Sequence, residues 1–368
     1  MRADTEQVIT DDVVIVGGGF AGALLALVLA RRGETVTVVD LHETYPEDFR
    51  CEKLSPAQVQ GLTDLGVLDA LAPLAPEGAA LTSVGLRYEW LVRALRAAWP
   101  ERVMFVHGRV ERLETGEDRQ TVHLADGRRL GARLVVLAAG PMTKLAEPLG
   151  AHRHTLRKRH SLCVGFSIVS AETPPRPLQA LAHHGERPGD GMGFVSLFPM
   201  DGAMRANLFA YRDPTSAWAR ACLQDPIGAL YEAMPGLKRR LGPLTLVSPV
   251  ETRATDLYQV EDVVQPGVVL IGDAFRSSCP ATGMGVSRIV ADVAALAALL
   301  PAWLATPGMG ADKIAAYYAD PAKREVDHTS DRRSETGRRA ALETSLRWRA
   351  RRGLARLKRD VTALARRA

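Results

Sequence analysis

The stretch Val13-Val14-Ile15-Val16-Gly17-Gly18-Gly19-Phe20-Ala21-Gly22 decides how this chain is read. Residues 12–16 form a largely β-branched run, as in a strand buried on both faces. Gly17, Gly19 and Gly22 then satisfy G-x-G-x-x-G. Gly17 permits a tight turn, Gly19 lets the backbone approach a pyrophosphate, and Gly22 lets the next helix pack close to the strand. Phe20 and Ala21 open that helix, which is predicted to run to Arg32 and to end at Gly33. Its N-terminus offers free N–H groups and a positive dipole end to phosphates. A second strand, Thr35 to Val39, ends at Asp40, where a carboxylate accepts hydrogen bonds from ribose hydroxyls and disfavours a 2′-phosphate. The strand–turn–helix context, with the acid at the expected distance, marks a dinucleotide site rather than an ordinary glycine-rich turn.

A second informative stretch lies far downstream. Val268 to Ile271 is another buried-strand pattern, ended by Gly272-Asp273. After a loop containing Pro280, Gly283-Met284-Gly285 opens a helix expected from about Val286 to Leu300. A carboxylate at the strand end binds a polyol hydroxyl, and the helix N-terminus stabilises negative charge on a bound ring. Taken together and in this order, the two stretches point to one FAD held along its length by both ends of the chain.

These motifs, in sequence order, resemble those of the FAD-dependent aromatic hydroxylases, the group A flavoprotein monooxygenases of the para-hydroxybenzoate hydroxylase fold, including the ubiquinone-biosynthesis hydroxylases. Gly17-x-Gly19-x-x-Gly22 with Asp40 resembles the ADP-binding fingerprint of that family. Arg50 stands where members carry an arginine near the flavin, ahead of a helix like Pro56 to Leu71. Arg87-Tyr88-x-x-Leu91 resembles an arginine-led family helix. Val110, after Phe105-Val106-His107-Gly108-Arg109, falls where family backbone groups meet the adenine. Gly272-Asp273 with Pro280 and Gly283-x-Gly285 resembles the flavin ribityl motif, and the likeness spans residues 10–320.

Two departures matter. The family's middle motif is Asp-Gly after a strand; here Leu134-Val135-Val136-Leu137 runs into Ala138-Ala139-Gly140-Pro141. Gly140 is retained as a cofactor-contact candidate, but Ala139 replaces the acid. Because that motif is associated with both FAD and reduced nicotinamide, NADPH or NADH is left as an open choice of reductant. Arg276 and Ser287 replace a histidine and an asparagine that the family often has.

The resemblance implies a monooxygenase. Reduced FAD would combine with O₂ to a C4a-hydroperoxide that transfers one oxygen atom to an aromatic or other electron-rich small molecule. The cofactor carries the chemistry, and the protein positions substrate and excludes water. No catalytic side chain is obligatory. His160, His183, His184 and Tyr211 lie in the expected substrate block, where a solvated histidine or a packed tyrosine is the ordinary role. Two alternatives remain open: a dehydrogenase or reductase of a small or lipid-like substrate on the same fold, and a non-catalytic FAD sensor. A halogenase is disfavoured by the lack of a Trp-x-Trp-x-Ile-Pro stretch.

With 368 residues and 46% hydrophobic content, the chain buries a large core. Cys51, Cys163, Cys222 and Cys279 are scattered, so reduced thiols in a cytoplasmic protein are expected, with neither metal site nor disulfide framework. The N-terminus shows no signal-peptide pattern. The apolar stretch Val286 to Ala305 is interrupted by Arg288, Asp292 and Pro301 and reads as a buried helix.

The expected fold class is α/β: a Rossmann-type FAD-binding lobe with an interleaved mixed β-sheet substrate lobe and a basic C-terminal helical segment. Residues 1–11 read as a flexible tail, 12–160 and 255–320 as the discontinuous FAD lobe, 161–254 as the substrate-covering sheet, and 321–368 as the basic segment. Strands are expected at 161–169, 193–199 and 204–211, a mobile loop over Thr173 to Met192, and helices from Trp218 to Leu241 broken at Pro226 and Pro235.

The basic segment holds 15 Lys/Arg against 6 Asp/Glu, so its +9 outweighs the +5 of the whole chain and leaves the first 320 residues acidic. Leu342, Leu346, Leu354, Leu357, Val361 and Leu364 recur at helical spacing. Such a helix docks its leucines on its own protein or lies on an anionic membrane. Docking is the commoner arrangement, and the expectation is that the leucine face packs on the flavin lobe, with peripheral membrane contact as the alternative. No stacking aromatics mark a nucleic-acid partner. The expected partners are a small-molecule substrate and O₂.

Overall fold

In the computed structural model, which describes residues 9–365 except 142 and 176, strand Ile9–Val16 sits mid-sheet. It pairs in parallel with Val36–Asp40 on one side and with Arg129–Leu137 on the other. Val103–His107 and Val268–Leu270 extend the parallel part, and Gln120–Leu124 and Val110–Glu114 add an antiparallel edge, giving seven strands. The central strands are apolar on both faces because helices cover them. Every residue from Phe20 to Ala30 of helix Phe20–Arg31 is buried, which explains its all-round Ala and Leu content.

The helix predicted to stop near Leu300 runs over Gly285–Leu304. Pro301 lacks the N–H that would bond the carbonyl of Ala297. That carbonyl instead accepts from Arg32 Nη1 at 2.6 Å, so the helix continues through the proline. Val293, Leu296 and Leu300 lie in the same hydrophobic core as Leu24 and Leu27. It is long and apolar enough to cross a membrane by length and composition, and Val293, Leu296 and Leu300 are fully buried.

The chain divides into two compact units. One comprises residues 1–157, 257–278 and 283–329, and the other residues 158–256, 279–282 and 330–368. The second unit carries an antiparallel sheet in which Met192–Met200 and Ala203–Ala210 form a hairpin beside His152–Ser170. Helices Ala217–Gln224, Pro226–Ala233 and Pro235–Leu241 pack Cys222, Leu230 and Leu237 against it. Pro226 and Pro235 start helices rather than interrupt one, since a proline at the first helical position gives up no needed N–H.

Three expectations require correction. The first strand begins at Ile9, inside the expected tail of residues 1–11; residues 1–8 lie outside those described. The irregular stretch Thr173 to Met192 contains strand Leu181–His184, paired with Met192–Met200. The basic segment forms two helices, Pro321–Leu342 and Leu346–Ala365, and its residues from 330 onward belong to the second unit. Leu346 and Leu354 are 81% and 61% exposed, so those two leucines do not pack on the protein. The side chains of Leu357, Val361 and Leu364 lie outside the described residues.

Candidate active site

The first glycine-rich turn is held from several sides. Gly17 N–H donates to the carbonyl of Val39 at 2.8 Å, and Gly18 N–H donates to Asp40 Oδ2 at 2.5 Å. Asp40 Oδ1 accepts from His42 N–H at 2.7 Å. Arg96, on helix Tyr88–Ala97, spans the turn: its Nε donates to the carbonyl of Gly18 at 2.8 Å and its Nη2 lies 3.2 Å from Asp40 Oδ2. The three motif glycines have separate reasons. A side chain at Gly17, whose φ is +104°, would strike the Ala138 backbone at 2.6 Å. One at Gly22 would lie 1.9 Å from the Gly17 carbonyl oxygen. At Gly19 a Cβ would meet only Tyr45, at 3.9 Å, so this peptide faces open space.

That space is a cavity of about 770 Å³ within the first unit. Of the sequence candidates, Gly17, Gly19, Phe20, Ala21, Asp40, Arg50, Val110, Gly140 and Asp273 line it. It thus joins residues more than 230 positions apart, from the first turn to the strand end at Gly272-Asp273. Gly22 is buried beneath, packing helix on strand. Gly272 is buried too, and its N–H donates to Asp292 Oδ2 at 2.8 Å. Gly283, Met284 and Gly285 lie outside the cavity lining, and Pro280 belongs to the second unit. Gln58 Nε2 donates to the Gly283 carbonyl at 2.8 Å and to Ser287 Oγ at 3.1 Å, which fixes the loop ahead of helix Gly285–Leu304.

Arg50 is locked in place. Its Nε and Nη2 bond Asp48 at 3.0 and 2.6 Å, Nη2 also donates to Tyr45 Oη at 3.1 Å, and its guanidinium stacks 3.6 Å above the Tyr88 ring. Burial works against its charge, but Tyr88, Asp48 and Tyr45 outweigh it and its pKa is raised. Beside it, burial pushes the Glu52 carboxyl up to about 7, Asp48 and Asp273 adding to the shift and Arg50 opposing it. Burial likewise raises the Tyr88 and Tyr258 phenols. Tyr258 donates its hydroxyl to the Asp273 carbonyl at 2.6 Å, bracing the strand end.

A chain of buried ion pairs lies behind that strand end. Lys323 Nζ sits 2.8 Å from Asp292 Oδ1 and 3.0 Å from Asp327 Oδ2, and Asp327 Oδ1 accepts from Arg288 Nε at 2.8 Å. Arg96, Gln58, Glu52, Asp292 and Lys323 have no local motif in the sequence; only the fold brings them to the two glycine-rich segments. The histidine candidates belong to the second unit. His160 is buried with its ring edge-on to Tyr211 at 5.5 Å, His183 pairs with Glu186 at 2.9 Å, and His184 packs on Phe194. Among the described residues no group of His, Cys, Asp and Glu could hold a metal ion.

A family model described as FAD binding domain matches residues 10–113. The chain is 28% identical to 3-demethoxyubiquinol 3-hydroxylase of Escherichia coli (strain K12), an alignment covering 77% of this chain and 78% of that protein. It is 27% identical to ubiquinone hydroxylase UbiL of Rhodospirillum rubrum, covering 79% and 72%. The chain is similar to the FAD-dependent aromatic hydroxylases, in agreement with its glycine-rich motifs. In fold, this flavoprotein is similar to p-nitrophenol 4-monooxygenase PnpA from Pseudomonas putida DLL-E4, with a TM-score of 0.70 at 17% identity over 94% of this chain and 92% of that one. It is an FAD-dependent monooxygenase, an oxidoreductase that places one oxygen atom from O₂ in an electron-rich small molecule. The dehydrogenase and sensor readings fit these findings less well. The open face at Gly19, the free cavity beside Asp40 and the glycine-lined turn suit a dinucleotide.

Proposed function

We propose that this monooxygenase hydroxylates an electron-rich, quinol-type ring that carries hydrophobic substituents. The observation that carries the reading is the single cavity into which the Gly17–Gly19 turn and Asp273 both open. The likeness to two quinol or quinone hydroxylases over three quarters of the chain supports the substrate class. When bound and reduced, FAD supplies the activation of O₂.

Each residue has a proposed task. The backbone at Gly17, Gly19, Phe20 and Ala21 and the helix N-terminus hold the pyrophosphate, with Gly22 setting the helix close enough. Asp40 accepts the ribose hydroxyls, and Arg96 and the Gly18 N–H keep its carboxylate oriented. The backbone at Val110 meets the adenine. Arg50, immobilised by Asp48 and Tyr88, presents fixed positive charge on the cavity wall. Gly140, with φ +69°, lets the chain turn along the cavity wall without a side chain in the way. Asp273, which lines the cavity, accepts a ribityl hydroxyl, and Gly272 behind it fixes the strand end. Glu52, whose carboxyl titrates near neutrality, is the group best suited to exchange a proton beside Arg50. Peripheral membrane contact through the basic C-terminus belongs to the same reading.

The test uses purified holoprotein, a short-chain quinol lacking one ring substituent, and ¹⁸O₂. One labelled oxygen per hydroxylated product supports the proposal. Quinol oxidation without label in the product, driven by an added electron acceptor, would establish the dehydrogenase alternative instead.

A further inference from the structure

The exposed leucines of the last helix form a surface with a defined composition. Helix Leu346–Ala365 carries seven Lys/Arg and one acid. At about 100° per residue, positions 346, 350, 354, 357, 361 and 364 fall within an arc of about 80°. Leu346 and Leu354, the two leucines of that arc with described side chains, are 81% and 61% exposed. The opposite side is anchored. Trp348 is buried, with the guanidinium groups of Arg339 and Arg351 at 5.2 and 5.1 Å from its ring. Arg352 Nη1 donates to the carbonyls of Ala340 and Glu343, at 3.0 and 2.7 Å, which caps the end of the preceding helix. The helix is therefore held with Trp348 inward and Leu346 and Leu354 outward.

Basic positions border the stripe on both sides, Arg347 and Arg351 at one edge and Arg349 at the other, and all three are exposed. We infer that this face is a docking surface for an anionic lipid bilayer. The leucines enter the acyl boundary and the arginines meet phosphate headgroups, the arrangement of an interfacial amphipathic helix. A second copy of the chain is a poor occupant, because two such strongly basic helices would face each other. Nucleic acid has no use for a leucine stripe, and the helix's single aromatic side chain is turned inward. The inference deepens the membrane contact of the proposed function, but it is argued from the helix alone, so vesicle flotation and the quinol assay can fail separately.

Vesicle flotation of the full-length holoprotein tests it, using phosphatidylcholine alone and phosphatidylcholine with about a third phosphatidylglycerol. The wild type is expected to float with the anionic vesicles at low salt and to remain free with the neutral ones. Leu346→Asp with Leu354→Asp should reduce partitioning roughly tenfold or more. Arg347→Glu and Arg349→Glu together should reduce it by about fivefold or more per residue. Both variants should keep wild-type Tm and flavin content, because the altered side chains are in water. Undiminished flotation of the leucine variant overturns the inference. So does a wild type that stays free of anionic vesicles, whether it self-associates through Leu346 and Leu354 or binds a duplex oligonucleotide instead. A fall in Tm of the leucine variant would show the face packed on protein and would also overturn it.

Discussion

Arg96 and Asp40 form a buried ion pair, with Nη2 and Oδ2 3.2 Å apart and side chains only 9% and 11% exposed. The pair has a geometric purpose. The same arginine bonds the Gly18 carbonyl, and the same carboxylate accepts the Gly18 N–H, so turn and acid form one rigid unit. A carboxylate already oriented for ribose gives up little freedom on binding. Arg96→Met should therefore weaken FAD binding by about 10-fold or more, the worth of a hydrogen bond to a charged group. Titration of apoprotein by flavin fluorescence quenching measures this. An unchanged Kd would mean that Asp40 needs no such support.

The motif glycines separate folding from binding. Gly22→Ala places a Cβ 1.9 Å from the Gly17 carbonyl oxygen, backbone against backbone, so helix or strand must move. It should lower stability by about 2–3 kcal/mol, as overpacking in a tight core does. A Cβ at Gly19 meets nothing closer than 3.9 Å, so Gly19→Val should fold with near wild-type Tm and fail to hold FAD. Paired unfolding and flavin-content measurements distinguish the two. Equal effects of both substitutions on both readouts would show that they share one role.

Lys323 lies between Asp292 and Asp327 and is 2% exposed. Lys323→Met leaves two carboxylates buried beside Arg288 alone, and loss of one partner of a buried pair costs about 3–5 kcal/mol. Since Asp292 also bonds the Gly272 N–H, flavin release should accelerate in the same variant. A stable Lys323→Met protein with normal flavin retention would remove the ion chain from any role in supporting the strand end.

Much of this was legible in the sequence. The β-branched run before Gly17, the acid at Asp40 and the strand ending at Gly272-Asp273 are local patterns, and local patterns survive in one dimension. The second ends of the contacts are not local. Arg96 lies 78 residues from Gly18, and Gln58 lies 225 from Gly283. Nothing about an arginine on an amphipathic helix reveals which turn it spans. Pro301 shows the same limit, because its helix continues only where Arg32 satisfies the freed carbonyl. Leu346 and Leu354 of the last helix are at helical spacing, but they face away from the protein rather than onto it. Periodicity gives a stripe and does not say which side is covered, and here Trp348 took the inner face.

Ala139 lines the cavity where the family motif carries an acid. With no carboxylate at that point, reduction by NADPH or NADH should be slow or strongly dependent on bound substrate. Anaerobic stopped-flow reduction of the holoprotein gives the rate with and without a quinol. Ala139→Asp should raise the substrate-free rate if the acid is what is lacking. Fast reduction of the wild type by either nucleotide alone would show that the motif is dispensable.

Glu52 supplies the pH dependence. Its carboxyl, ordinarily near 4.5, is raised to about 7 by burial with Asp48 and Asp273. A carboxyl with a raised folded-state pKa binds its proton more tightly when folded. Its contribution to stability is complete below about pH 4.5 and is lost as pH rises through about 7. The wild type should therefore lose stability between those values relative to Glu52→Gln, which has no proton to release. Because Glu52 keeps partial contact with water, the gap at pH 8 should be on the order of 1–2 kcal/mol, and it should vanish at pH 4.5. Urea unfolding of both proteins across this range measures the gap directly. In turnover, the rate of the wild type should carry an inflection near neutrality that Glu52→Gln lacks. Parallel stability profiles for the two proteins would mean that Glu52 ionises as an ordinary surface carboxylate and takes no part in proton exchange beside Arg50.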